Sequence, residues 1–148
     1  MKILAENKRA NFDYELLETY EAGLVLYGHE VKAIRTGHVS LIGSYAVNKG
    51  NEFYLINALI SPYQSANTAK DYDPQRSRKL LLKKSEIKSL IGKSRVKGLT
   101  LVPVKLYTKK SRIKLEFAVA KSKKKIDKRE KIRKRDIERE IGRKLRGR

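Results

Sequence analysis

The clearest periodic signal lies near the end of the ordered-looking part of the chain. From residue 112 to 120, Ile113, Leu115, Phe117 and Val119 alternate with Arg112, Lys114 and Glu116. A period of two places the apolar set on one face of a strand and the charged set on the other. Residues 99–107 precede it and are apolar on both faces, as in a central strand. Residues 108–111 form the turn between them. Pro103 has no N–H for a ladder, which predicts a bulge or an unpaired edge there.

Upstream, Phe12, Tyr14, Leu16, Tyr20, Leu24 and Leu26 share one parity, predicting one or two strands over 12–27 with a bulge at Gly23. A short helix is predicted over 29–36. Val31 and Ile34 form its apolar i,i+3 pair, Lys32 and Arg35 lie on another face, and Gly37 stops it. Two strands, 40–48 and 52–60, flank a three-residue hairpin signal at Lys49-Gly50-Asn51. A long polar stretch, 61–78, follows, and loops of that length in compact domains are usually functional or mobile. Residues 79–82 form a short strand. Ser85 caps a helix carrying Ile87, Leu90 and Ile91 on one face, and Gly92 ends it. Six or so strands with two short helices in about 120 residues predict a mainly β fold. The pattern suggests a small closed or partly open β-barrel, with the oligonucleotide-binding type the natural candidate, spanning residues 1–121.

After Ala120 the pattern changes. Residues 121–148 hold 15 Lys or Arg against five Asp or Glu, a net +10 of the +20 for all 148 residues. Charge per residue there is about four times that of the remainder. Ile126, Ile132, Ile137, Ile141 and Leu145 are too few for a core. Asp127–Lys131, Glu130–Lys134 and Glu140–Lys144 are i,i+4 pairs with the acid first, each adding about 0.2–0.5 kcal/mol to a helix. Residues 122–148 are therefore read as a basic tail, disordered when free and folding against a partner. A solvated tail with no defined bound structure is the alternative. Such charge points to a polyanion.

The chain has no cysteine, which rules out disulfides and thiol chemistry and fits a cytoplasmic protein. Met1-Lys2-Ile3-Leu4 soon turns polar, so no signal peptide is expected, and no apolar run approaches membrane-spanning length. The apolar residues of the tail are too sparse, and include no bulky aromatic, for a strong interfacial helix, and no membrane partner is expected. His29 and His38 lack metal-ligand spacing; Glu30 is the nearest third ligand, and packing histidines are the better reading. Ser85 and Lys88 match a loose S-x-x-K pattern without its companion motifs, and no phosphate-binding glycine loop occurs. No enzyme, cofactor or metal is expected. The binding inventory is richer. Arg112 and Lys114 sit on an outer strand face, Arg76, Arg78, Lys79, Lys83 and Lys84 form a second basic cluster, and Lys8 and Arg9 a third. Basic groups beside aromatics on a curved sheet track a nucleic-acid backbone while rings stack on bases.

Several segments then occur in a telling order. They are Asn7-Lys8-Arg9-Ala10, Tyr20-Glu21-Ala22-Gly23, the run from Gly28 to Arg35, Ser44-Tyr45, Arg78-Lys79-Leu80-Leu81-Leu82, Gly98 to Pro103, Lys105-Leu106-Tyr107 and Asp127-Lys128-Arg129-Glu130. In that order, over nearly the whole chain, they resemble the bacterial SsrA-binding proteins, the SmpB family. The resemblance implies an oligonucleotide-binding barrel on the tRNA-like domain of transfer-messenger RNA (tmRNA). It implies a role in trans-translation, the rescue of ribosomes stalled on mRNAs lacking a stop codon. The tail would enter the empty mRNA channel along small-subunit rRNA, near the decoding centre, and become helical there. Elongation factor Tu would be met through the tmRNA complex, and the protein would act as a monomer. By matching motifs, RNA contact or support falls on Asn7, Glu21, Leu81, Lys83 and Lys114. Lys8, Arg9 and Arg112 join them by charge. Tail function falls on Asp127, Lys128 and Arg129, led in by Lys123 and Lys124.

The residues also bound these roles. Lys83 and Lys114 suit phosphates or base edges. Asn7 suits either RNA or its own turn. Glu21 suits base amino groups, 2′-hydroxyls or the positioning of a neighbouring cation, and Leu81 suits either the RNA surface or the core. Two departures from the family pattern stand out. Ser122 replaces a common glycine at the barrel–tail junction, which implies a stiffer hinge, and Ile126 replaces a His or aromatic, which removes a stacking ring.

Overall fold

The alternation at 112–120 is realised in a hairpin that organises the whole domain. The computed structural model describes residues 1–62 and 70–123. Its elements are β1 (Lys2–Glu6), α1 (Ala10–Asp13), β2 (Tyr14–Leu24), α2 (Gly28–Arg35), β3 (Val39–Ser40), β4 (Tyr45–Lys49), β5 (Glu52–Ile56), β6 (Leu59–Ile60), β7 (Arg78–Leu81), α3 (Lys84–Ser94), β8 (Leu99–Lys109) and β9 (Arg112–Ser122). β8 and β9 pair antiparallel along their full length, from Leu99↔Lys121 to Lys109↔Arg112. The two residues between them, Lys110 and Ser111, both take left-handed φ values, 50° and 65°. That geometry matches the right-handed twist of the flanking strands.

The sheet closes on itself. The order β8–β4–β5–β7–β2–β9 returns to β8, every pairing being antiparallel, so these six strands form a barrel without a free edge in the ring. The mainly β barrel the pattern predicted, closed or partly open, is thus a closed one. β1 adds to the far half of β8, through Lys2↔Thr108 and Glu6↔Lys105. Ala22, Phe53, Leu55, Leu80, Leu101, Leu106, Leu115 and Phe117 fill the interior, joined by Ala33 and Ile34 of α2 and Leu90 of α3. Each fully buried Leu, Ile or Phe among them contributes about 1.5–3 kcal/mol, the alanines less.

Two bulges shape the ring. One lies at the predicted place: the β8–β9 register shifts between Pro103 and Lys105. Asn7 covers the displaced backbone. Its N–H donates to the Val104 carbonyl at 2.8 Å, and its Nδ2 to the Pro103 carbonyl at 2.9 Å. The other bulge corrects an expectation. It falls between Leu16 and Glu18, not at Gly23. The extra residue reverses facing, so positions of one parity separate. Tyr14 and Leu16 pack on a small cluster of Ala10, Val102 and Ala120, whereas Tyr20, Ala22 and Leu24 serve the barrel core. Phe12, grouped with them by parity, belongs to α1 and is exposed.

Further boundaries differ from the pattern. Each of the strands predicted over 40–48 and 52–60 splits. β4 and β5 stay in the barrel, while β3 and β6 pair apart as a two-stranded ribbon. Left-handed turns at Gly43 (φ 77°) and Asn57 (φ 63°) separate the pieces. The hairpin has two turn residues, since Lys49 pairs with Glu52. α3 starts one residue before Ser85. Its first turn is closed by Glu86 Oε1, which accepts the Lys83 N–H at 3.1 Å, and Gly92 lies inside the helix. β9 runs through Ser122, opposite Tyr14, and the Lys123 N–H donates to the Asp13 carbonyl at 3.1 Å. The chain therefore stays tied to the barrel slightly beyond the composition break.

Candidate nucleic-acid interface

Three strands, β9, β2 and β7, lie side by side where β2 ends. There Gly23 stands opposite Lys114 on one side and Leu81 on the other. A Cβ on Gly23 would lie 3.3 Å from Leu81 Cβ and 3.7 Å from Lys114 Nζ, so the glycine permits a close approach. Around this junction opens a cleft of about 780 Å³, lined by Glu21, Leu81, Lys83 and Lys114, with Lys79 and Lys84. Four of the five motif-matched residues thus converge, although 93 positions separate Glu21 from Lys114.

Strand parity explains what faces the cleft. Ile113 and Leu115 are buried and leave Lys114 outward. In β7, Arg78 and Leu80 are buried while Leu81 is 52 % exposed, so Leu81 belongs to the surface and not to the core. Its exposed apolar side chain amid lysines is suited to lie against a base or ribose while the cations meet phosphates.

The acids at this cleft are already engaged. Tyr107 donates its hydroxyl to Glu21 Oε2, and Lys109 Nζ lies 3.3 Å from Oε1. The Tyr107 bond, foremost, holds the Glu21 carboxyl below its usual range. Burial, followed by that same bond, pushes the Tyr107 hydroxyl upward. Glu52 pairs with Lys79 at 2.7 Å, which lowers the Glu52 pKa and raises that of Lys79. Glu86 is occupied by the Lys83 N–H. Among the described residues, Lys83 and Lys114 make no ion pair within 4.0 Å, although the charge of Lys114 also helps to lower the Glu21 pKa, so both ammonium groups line the cleft without a direct carboxylate contact. Arg112 lines an adjoining hollow of about 280 Å³ that shares Gly23, Leu81 and Lys114 and includes Arg35.

Other expected contacts lie elsewhere. Asn7 is buried and bound to the β8 bulge. With Arg9 it lines a separate hollow of about 510 Å³ near Tyr45, where Arg9 pairs with Asp13 at 3.6 Å. Lys8 is exposed in the turn before α1. Arg78, counted in a basic surface cluster, is fully buried. It meets the fully buried Glu30 at 2.6 Å, and Arg76 meets the same carboxylate. Tyr72 donates to Glu30 at 2.8 Å, as does the Tyr27 N–H. Glu30 is therefore committed to structure, and His29 packs edge-on against the Tyr72 ring at 4.6 Å. Lys123 donates its Nζ to the Asn11 carbonyl at 2.8 Å. Lys124, Ile126, Asp127, Lys128 and Arg129 lie outside the described residues. The roles of Tyr107 and Lys109 beside Glu21 had no local signal, because the partners are distant in the chain.

No helix among the described residues is long and apolar enough to cross a membrane, and no cluster of three ligating side chains occurs among them.

Similarity to known proteins covers the same residues. The family model described as SmpB protein matches residues 4–147. An SsrA-binding protein of Thermosynechococcus vestitus is 49 % identical over 148 residues, covering 100 % of this chain and 97 % of that one. One from Carboxydothermus hydrogenoformans is 52 % identical over 147 residues, with 99 % and 98 % covered. A solved structure described as "tmRNA-SmpB: a journey to the center of the bacterial ribosome" aligns with a TM-score of 0.69 at 47 % identity, covering 84 % of this chain and 87 % of that one. With its closed barrel and full-length sequence match, this chain belongs to the SmpB protein family.

Proposed function

We propose that this chain binds the tRNA-like domain of tmRNA through the cleft at the β9–β2–β7 junction and carries that RNA to stalled ribosomes for trans-translation. The observation that carries the reading is the convergence of Lys83, Lys114 and exposed Leu81 around Gly23, beside acids that are already paired. The lysines supply affinity for the backbone, and Leu81 supplies an apolar contact that solvated phosphate binding alone does not need. Glu21 holds Tyr107 and Lys109 at the rim, where its oxygens can also accept from 2′-hydroxyls. The relatives' name and the solved tmRNA–SmpB assembly support this choice of RNA.

In the same reading the tail, 122–148, occupies the empty mRNA channel near the decoding centre. Its net charge suits an rRNA-lined passage, and Asp127, Lys128 and Arg129 act there. The protein works as a cytoplasmic monomer and reaches elongation factor Tu through the RNA. Purification of the chain from bacterial cells, followed by sequencing of bound RNA, tests this. One structured tmRNA is the expected species; a broad RNA mixture with no enrichment refutes the reading.

A further inference from the structure

The outer face of β2 does not end at the cleft. Beyond Gly23, Leu24 and Leu26 turn toward the core, whereas Val25 and Tyr27 are 46 % and 53 % exposed. The strand pair continues as well, since the Val25 N–H donates to the Lys79 carbonyl at 3.0 Å. At about 3.3 Å per residue, Tyr27 lies roughly 13 Å along the chain from the Gly23 junction. That distance is on the scale of two nucleotides of extended backbone.

Tyr27 is not a loosely exposed ring. The Arg76 guanidinium sits over it, 4.0 Å from the centroid. Both members of this stack are held by one buried group. Glu30 accepts the Tyr27 N–H at 2.8 Å through Oε1, and Arg76 through both carboxylate oxygens. Arg76 also reaches the Val25 carbonyl at 3.4 Å. Arg78 shares the same carboxylate, so two guanidiniums face one acid and the group retains a net positive charge. An ion cluster built on a fully buried Glu30–Arg78 pair is a costly way to fasten an exposed aromatic, and replacing such a pair by apolar packing would often be neutral or stabilising. What the cluster does supply is a fixed orientation: an aromatic face backed by a cation, which loses little freedom when something stacks on it.

We infer that Tyr27, backed by Arg76, is a stacking platform for an unpaired nucleobase of the RNA that occupies the adjoining cleft. This rests on the RNA-binding reading above and deepens it. A ring with a cation beneath it accepts a base of any identity, because every base presents a π-face. The platform therefore selects for an unstacked nucleotide, as found in loops of a folded RNA, and not for a sequence or a continuous duplex.

The natural chain has no tryptophan, so Tyr27→Trp in the full-length protein creates a single reporter at the platform. Titration with a transcript of the tRNA-like domain should quench its fluorescence in step with binding, followed independently by anisotropy of labelled RNA. Tyr27→Ala, its fold checked by thermal unfolding, should weaken binding by about 5- to 150-fold, the range expected for one base–aromatic stack. A wild type that binds, with Tyr27→Trp emission flat through saturation and Tyr27→Ala affinity unchanged, overturns the platform alone. A wild type that does not bind this transcript overturns the cleft reading and the platform together.

Discussion

Leu81 and Lys114 meet across a residue that has no side chain. Gly23 pairs with both, and its bare Cα leaves room for the apolar chain of one and the ammonium of the other. Gly23→Val should therefore push Leu81 and Lys114 apart. We expect a stability loss of about 1–3 kcal/mol from overpacking, measured by urea unfolding. RNA affinity should fall further than Gly23→Ala lowers it. Wild-type affinity in a folded Gly23→Val protein would show that the junction is not the contact surface.

Lys83 and Lys114 lack a carboxylate within ion-pair distance among the described residues, so their charges are available to phosphate. The Lys83→Ala, Lys114→Ala double variant should bind tmRNA more weakly. The slope of log affinity against log salt should drop by about 1.4–1.8, near one counterion per lysine. Titrations at several salt concentrations measure both. An unaltered slope would remove these two residues from the phosphate contacts.

Glu30 and Arg78, by contrast, form a fully buried ion pair. Burial works to raise the Glu30 pKa, but the bonds from Arg76, the Tyr27 N–H, Arg78 and Tyr72 prevail and hold it at about 2. Its ordinary value is 4.5. A carboxyl depressed on folding stabilises the fold fully above its unfolded pKa, and that stability is lost as pH falls through the folded value. The protein should thus lose about 3 kcal/mol from this group as pH falls from above 4.5 toward 2. Glu30→Ala should cost about 3–5 kcal/mol at neutral pH, because it strands Arg78 in the interior. Unfolding curves across this pH range check both effects, and a variant as stable as the parent at neutral pH would contradict them.

Lys123 still anchors to the barrel, through Asn11 and Asp13. A truncation that tests the tail should accordingly begin at residue 124. Removing 124–148 should leave tmRNA binding within a few-fold of the parent at physiological salt, since the cleft is intact. It should abolish peptide tagging on stalled ribosomes in a reconstituted assay. Normal tagging by this truncation would separate the tail from the rescue function.

Much of the barrel was legible because its signals are local. Strand β9 shows its inward and outward faces within nine residues, Pro103 marks its own bulge, and Gly37 ends α2 at φ 85°. The basic character of the chain, the excess charge of the tail and the family motifs are likewise written in order along it. Residue chemistry alone left Leu81 open between core and surface, and put Arg78 with its basic neighbours outside. Tertiary structure reversed the second and decided the first. Arg78 can be buried because Glu30, 48 positions away, neutralises it, and the Leu17 bulge reverses facing in β2 because β9 sets the register. Local period and charge determined what the strands are. Closure of the ring decided which side chains share a cleft, since only there do β9, β2 and β7 become neighbours.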